Sequence, residues 1–100
     1  MFSIVRIKGD SMSPFLLDGA FVLTTKRYFS VKKDDVVIAE HPRYGRIIKR
    51  VLDVSNDGLI ALGGDNPNSK SNADLGSVPR SLVFGKVVFK LNPPRSKDRK

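Results

Sequence analysis

Two short segments of this sequence contain side chains that together could hydrolyse a peptide bond. Residues 9–14 read GDSMSP, which sets Ser11 in a tight turn led by glycine. Residues 47–51 read IIKRV, which sets Lys49 inside an apolar strand. Serine is a weak nucleophile until a base within hydrogen-bond reach removes its proton, and a lysine that is neutral near pH 7 can be that base. Ser11 and Lys49 are therefore the candidate parts of a serine–lysine dyad.

The lysine can act as a base only in an apolar environment. Its pKa must fall from about 10.4 to about 7–8, a shift of about 4 kcal/mol, and burial works in that direction. Residues two apart share a strand face, so Lys49 lies between Ile47 and Val51, while Arg50 faces the other way. Periodicity does not choose between these two faces, but arginine does not deprotonate in proteins whereas buried lysine does. The alternative is an edge-strand lysine whose ammonium reaches solvent.

The serine segment also has two interpretations. Ser11 can simply cap a short helical turn. In the functional interpretation, Gly9 lets a peptide backbone approach closely, and the backbone N–H of Ser11 points into an oxyanion hole. The only histidine, His41, precedes Pro42 in a predicted loop, and we interpret it as a solvated loop residue rather than the base.

The elements that must position these residues are mostly strands. Alternating apolar residues and turn signals predict strands over residues 2–8, 21–25, 36–39, 46–54, 59–62 and 82–91. Residues 41–45 are predicted to be a connection, residues 63–76 are polar and turn-rich, and a short turn after Pro14 is the one helix candidate. This pattern predicts a mainly β, single small domain with a folded-sheet or barrel-like core.

Composition narrows the class of protein. The chain has 100 residues, a net charge of +8, one histidine and no cysteine, which excludes disulfides and thiolate zinc sites. We expect no metal and no cofactor. No apolar run approaches the roughly 20 residues of a spanning helix, so we expect a soluble, cytoplasmic protein. The basic charge could favour nucleic acid or an anionic membrane, or could only be a solvated surface.

In order along the chain, several segments resemble motifs of the type I signal peptidases. Residues 9–14 resemble their nucleophile box, and residues 49–51 resemble their lysine box. Further similar segments lie at residues 34–39, at GDNP (64–67) followed by Ser69 and Gly76, and at residues 78–80 and 84–86. The resemblance extends from about residue 4 to residue 89 and implies the mainly β, signal-peptidase or LexA-like fold that the pattern also predicts.

The resemblance implies roles for individual residues. Ser11 would be the nucleophile, Lys49 the general base, Ser69 a hydrogen-bond partner that orients the lysine, and Gly64 a residue that leaves the lysine room. An extended substrate would pair with the strands that lead to the two catalytic residues. The implied substrate-binding positions are Ile7, Lys8, Gly9, Asp10, Met12, Arg46, Ile47 and Ile48. Residues 1–91 would form the peptidase domain, and residues 92–100 a basic disordered tail.

The sequence also departs from the family pattern. The acid–arginine pair expected late in the third box is missing, since residues 71–73 read SNA. Gly9 stands where many members have a hydroxyl that assists the oxyanion, which leaves the backbone N–H of Ser11. The short length and lack of an anchor resemble a soluble branch, the nickel-type superoxide dismutase maturation proteases. That resemblance implies a protein precursor as the partner, with its N-terminal extension as the substrate, and any nickel would belong to the substrate.

Two alternatives remain open. One is a self-cleaving peptidase domain of the LexA type, although only ten residues precede Ser11 and leave little to cleave. The other is a non-enzymatic basic β-barrel that binds nucleic acid. The one suitable cluster consists of two aromatic residues beside four basic ones: Tyr28, Phe29, Lys26, Arg27, Lys32 and Lys33. The sequence makes no prediction about the oligomeric state.

Overall fold

The structure is a computed structural model that describes residues 2–26, 30–66 and 75–94. These residues form seven strands and one turn of 3-10 helix at Arg80–Leu82. The strands are β1 (Phe2–Arg6), β2 (Phe21–Thr25), β3 (Val36–His41), β4 (Gly45–Val54), β5 (Leu59–Gly63), β6 (Ser77–Pro79) and β7 (Val83–Leu91). The prediction of a mainly β, single small domain is confirmed.

All seven strands belong to one sheet in the order β1-β2-β7-β3-β4-β5-β6. Every neighbouring pair is antiparallel. The last strand, β7, lies between β2 and β3. It therefore joins the β1–β2 pair to the rest of the sheet. Within the described residues the sheet is open, with β1 at one edge and β6 at the other.

Buried side chains form two hydrophobic clusters, one on each side of the central strands. The first cluster contains Val37, Ala39, Val51, Ile60, Leu62, Leu75, Val78 and Val83. The second contains Ile7, Met12, Leu16, Ala20, Val22 and Val36. Strand β3 contributes to both because successive side chains point to opposite faces. Since Met12 and Leu16 belong to the second cluster, the turn that carries Ser11 is anchored in the core.

The six predicted strands are all present, with ends that differ from the prediction by two residues or fewer. Strand β6 was not predicted, because it has only three residues and ends in Pro79, which is tolerated here at a sheet edge. Leu75, in the segment predicted to be polar and turn-rich, is a core residue. The helix candidate after Pro14 is a turn, closed by the Leu16 N–H donating to the Met12 carbonyl at 2.9 Å.

Several predictions fall on residues that the structure does not describe. They concern Ser69, residues 71–73, the aromatic cluster at residues 27–29 and residues 95–100. The disordered tail thus stays a prediction, although Asn92 at its start makes the hydrogen bonds described below. None of the described segments forms a helix with the length and hydropathy that a bilayer crossing requires.

Candidate active site

Ser11 and Lys49 line the same cleft, which has a volume of about 560 Å³. One wall is formed by β1 and the two residues after it, and the other by the first half of β4. Its floor includes Ile38 of β3 and Gly85 of β7. The sheet order explains this composition, because β7 lies between the strands that lead to the two candidate residues.

The Lys49 side chain is buried although its part of β4 has a partner strand on one side only. Its exposed fraction is 5%, and at this residue β4 pairs with β3 and not yet with β5. Its strand neighbours Ile47 and Val51 pack in the first cluster, as periodicity predicts. Burial lowers the pKa of Lys49 from the ordinary lysine value. The ion pairs found among the described residues, Arg50 with Asp65 and Lys86 with Asp35, do not include it.

Arg50, on the opposite face of β4, is held as a permanent cation. Its guanidinium donates to both carboxylate oxygens of Asp65 at 2.7 and 2.8 Å and to the Asp34 carbonyl at 2.7 Å. The hydrogen bond to Asp65 raises the pKa of Arg50 further above its ordinary value. Its guanidinium carbon also lies 4.6 Å from the centroid of the Phe15 ring. The structure thereby separates the two faces that periodicity left open: the lysine is buried and the arginine is paired.

The turn that carries Ser11 is held by residues far away in the sequence. Asn66, in the third box, donates from its backbone N–H to the Ser11 carbonyl at 2.9 Å and from Nδ2 to the Asp10 carbonyl at 3.0 Å. At the start of the turn, Gly9 has a φ of +87°, which favours glycine, and its N–H donates to Asp18 Oδ1 at 2.8 Å. The backbone N–H of Ser11 takes part in none of the hydrogen bonds found between described residues.

The end of β7 fixes the far side of the same turn. Asn92 Nδ2 donates to the Phe15 carbonyl at 3.1 Å, and Asn92 Oδ1 accepts from the Leu17 N–H at 2.9 Å. Lys90 Nζ donates to the Phe15 carbonyl as well and lies 4.0 Å from the centroid of its ring. The Phe15 ring therefore contacts one cation from β4 and another from β7. Sequence reasoning missed these contacts, because their separations along the chain exceed any local pattern.

The predicted substrate-binding residues divide into two groups. Ile7, Lys8, Arg46, Ile47 and Ile48 line the cleft. Gly9 and Asp10 are exposed in the turn, and they are not among the residues that line the cleft. Met12 is 1% exposed and packs in the second cluster, so its side chain faces the core. Cleft residues that sequence reasoning missed include Ser3, Thr24, Lys26 and Phe84.

Two strand edges beside the cleft lack a partner strand among the described residues. Strand β1 pairs only with β2. Strand β4 pairs with β3 from Gly45 onward but with β5 only from Arg50 onward. The first half of β4 and the whole of β1 can therefore accept main-chain hydrogen bonds from an extended peptide.

Gly64 directly follows β5. The pairing of β4 with β5 ends at Arg50 and Gly63, so Gly64 directly follows the partner of the residue next to Lys49. The third box thus begins at the strand that carries the candidate base. The acid–arginine pair that the sequence lacks at residues 71–73 has a counterpart here in Asp65 and Arg50. In the sequence, this ion pair could have been found from the acid that directly follows Gly64 and the arginine that directly follows Lys49.

His41 is not the solvated loop residue that was predicted. It is the last residue of β3 and is 7% exposed. Its Nδ1 accepts from the N–H groups of Arg43 and Tyr44 at 3.0 and 3.3 Å, so Nε2 carries the proton and donates to the Leu75 carbonyl at 2.8 Å. Both ring nitrogens stabilise the β3–β4 hairpin and its contact with Leu75, and His41 does not line the cleft.

Sequence comparison with known proteins finds protease relatives and a family. Among characterised proteins, mitochondrial inner membrane protease subunit 1 of Homo sapiens is 26% identical over 115 residues, covering 90% of this chain and 69% of that protein. The Xenopus tropicalis protein of the same name is 26% identical over 118 residues, covering 93% of this chain and 71% of its own length. The family model for Peptidase S24-like proteins matches residues 2–88. That match extends from β1 into β7, and the chain therefore belongs to the Peptidase S24-like family.

Proposed function

We propose that the protein is a serine endopeptidase in which Ser11 is the nucleophile and Lys49 the general base. The observation that carries this proposal is a buried lysine, without a carboxylate partner among the described residues, that lines the same cleft as a serine. A lysine with a purely structural role is rarely buried unless it is paired. A base has the opposite requirement, because only a desolvated amine is neutral near pH 7.

The reaction would proceed by acyl transfer. Neutral Lys49 Nζ takes the Ser11 hydroxyl proton while Oγ attacks the scissile carbonyl carbon. The oxyanion that forms accepts a hydrogen bond from the backbone N–H of Ser11. The Lys49 ammonium then gives its proton to the leaving amine, and an acyl-enzyme remains on Ser11. Water deprotonated by Lys49 attacks this ester, which releases the carboxylic acid product and restores the serine.

The substrate would bind as an added strand. An extended peptide fits between the edge of β1 and the free half of β4, with main-chain hydrogen bonds to both. Ile7 and Lys8 would flank it on one side, and Arg46–Ile48 on the other. Ser69 would orient the Lys49 amine, and Gly64 would leave space for it. The pairing of Gly63 with Arg50, the residue next to Lys49, supports the second of these roles.

The substrate class that the sequence resemblance favours is a protein precursor with an N-terminal extension. We propose a nickel-type superoxide dismutase precursor as the specific candidate, cleaved by a soluble, cytoplasmic enzyme. The relatives that match are named as protease subunits, which supports proteolytic processing in general.

A cleavage assay tests the chemistry and the substrate separately. The protein is incubated with an extended-peptide library and with the candidate precursor, and products are identified by mass spectrometry. Ser11→Ala and Lys49→Met should abolish cleavage of both, while Lys33→Met, at an exposed lysine, should have no effect. Full hydrolysis by Lys49→Met would refute the dyad. Cleavage of library peptides without cleavage of the precursor would refute only the specific substrate.

A further inference from the structure

The cleft that holds Ser11 and Lys49 also collects positive charge. Besides Lys49, four cations line it: Arg6, Lys8, Lys26 and Arg46. All four are exposed to solvent, and no aspartate or glutamate is among the described residues that line the cleft. The Arg6 guanidinium lies beside Gly19, so the other three are the charges that a bound ligand would meet.

These cations are not neutralised by acids within the described part of the chain. The ion pairs found there join residues outside the cleft lining. Glu40 is opposite Arg46 in the β3–β4 ladder, but it forms no ion pair with Arg46 and does not line the cleft. Asp10, in the turn beside Ser11, does not line the cleft either. The cleft therefore presents a positive potential to whatever it binds.

Arg46 is held against the wall of the cleft by an aromatic ring. Its guanidinium carbon lies 4.7 Å from the centroid of Phe84, a half-buried residue of β7 that also lines the cleft. A guanidinium that lies over a ring still has N–H groups at its edge, and these match the two oxygens of a carboxylate. Because the ring restricts the side chain before any ligand arrives, Arg46 loses less conformational freedom on binding than a free surface arginine would.

The cations are set back from the two candidate catalytic residues. Arg46 precedes Lys49 by three residues, and Lys8 precedes Ser11 by three. Three residues of strand β4 span about 10 Å. This separation suits a base, because an anion directly beside Lys49 would favour its charged form, whereas at about 10 Å solvent and salt screen most of the interaction. A carboxylate bound at Arg46 can therefore add affinity without protonating the base.

We propose that the cleft selects extended peptides with an aspartate or glutamate about three residues from the scissile bond. Arg46 would bind that carboxylate, and Lys8 and Lys26 would add to the positive field. This inference rests on the proposed function, because it names the class of peptide that the peptidase cuts. Single-stranded nucleic acid fits less well, because Phe84 is the one aromatic residue in the described lining and Arg46 already covers its ring.

Matched peptides test the proposal with the full chain. A capped peptide that the protein cleaves is made with Asp, Asn or Lys at one position, and that position is moved along both sides of the scissile bond. At the selected position kcat/KM should be about fivefold or more higher for Asp than for Asn, lowest for Lys, and the difference should shrink as salt rises. Arg46→Gln should bring the Asp-to-Asn ratio close to unity, and Arg46→Glu should make the Lys peptide the best of the three. Arg43→Gln is the matched control, because Arg43 is also exposed beside an aromatic ring, that of Tyr44, but does not line the cleft.

A binding measurement separates this inference from the proposed function. Ser11→Ala is titrated with extended peptides that carry an uncharged dye and differ only in Asp, Asn or Lys, and circular dichroism establishes that each variant folds. If no peptide is cleaved but Ser11→Ala binds the Asp peptide most tightly, the proposed chemistry fails and the charge selection stands. Cleavage of all three peptides at equal rates would overturn the inference and leave the peptidase intact. A preference for Asp that Arg46→Gln leaves unchanged would also overturn it, as would tighter binding of single-stranded DNA than of the Asp peptide.

Discussion

Replacing Lys49 with methionine should abolish peptide hydrolysis and at the same time raise the free energy of unfolding at neutral pH. Lysine and methionine have similar unbranched stems, so the variant can fill the same space beside Ile47 and Val51. At 5% exposure the ammonium of the natural protein is held away from most of the solvent, and burial lowers its pKa. A residue that is needed for chemistry is therefore expected to destabilise the fold that holds it.

The size of the increase in the free energy of unfolding follows from removing a desolvated charge and burying a thioether in its place. Replacing buried ionic groups by apolar residues of similar volume is often neutral or stabilising by about 1–4 kcal/mol. Because Lys49 retains slight exposure, we expect a gain of about 1–2 kcal/mol, which for a domain of this size raises the melting temperature by roughly 4–16 °C. Loss of the general base should lower kcat by a factor of about 100 to 10,000.

The stability advantage of Lys49→Met over the natural protein should decrease as pH rises. The folded state binds the Lys49 proton more weakly than the unfolded chain, so unfolding takes up a proton between the two pKa values. The free energy of unfolding of the natural protein therefore rises with pH in that interval. The advantage of Lys49→Met should be full below the folded-state pKa and should disappear as pH approaches about 10.4, the value in the unfolded chain.

Urea unfolding at about pH 7 and about pH 10 measures the stability difference and its dependence on pH, and peptide hydrolysis is followed on the same samples. Lys33→Met is the control, since Lys33 is exposed and its replacement should change neither the free energy of unfolding nor the rate of hydrolysis. A destabilised Lys49→Met at neutral pH would refute the reasoning. It would show that the ammonium is paired in the folded state and that Lys49 is a structural cation rather than a desolvated base.

Three further predictions test the surroundings of the site. The pH profile of kcat/KM should rise with an apparent pKa below the ordinary lysine value, because burial lowers the pKa of Lys49 and only the neutral amine accepts the proton; a profile that rises only near pH 10.4 would contradict this. Asn92→Ala should lower the free energy of unfolding by about 1–3 kcal/mol, because the Phe15 carbonyl and the Leu17 N–H lose a partner. It should also lower kcat more than it changes KM, and an unchanged kcat would mean that Asn92 does not position the Ser11 turn. His41→Ala should destabilise by about 2–4 kcal/mol in urea unfolding, yet leave kcat per folded molecule unchanged, since His41 does not line the cleft.

Alternation along each strand predicted six of the seven strands and which residues share a face, but not which face is buried. For β4 the choice of Lys49 over Arg50 rested on chemistry, because only lysine can lose its proton, and the structure shows that Lys49 is the buried one. Alternation does not say which strands become neighbours. The position of β7 between β2 and β3 depends on packing across the whole chain. This strand order places residues such as Thr24 and Phe84 in the cleft, although no local pattern indicates them.

The third box makes contacts beyond those that its motif suggested. Its expected contribution was a serine and a glycine around the lysine, together with an acid–arginine pair at positions that this chain fills with other residues. Among the described residues it contributes Asp65, which binds the arginine next to Lys49, and Asn66, which binds the carbonyls of Asp10 and Ser11, while the role of Ser69 stays a prediction. A single short segment thus connects the strand of the candidate base to the turn of the candidate nucleophile. Since long-range packing places Ser11 and Lys49 in one cleft, a segment that contacts both elements can help to fix their separation, whichever residues complete the rest of the box.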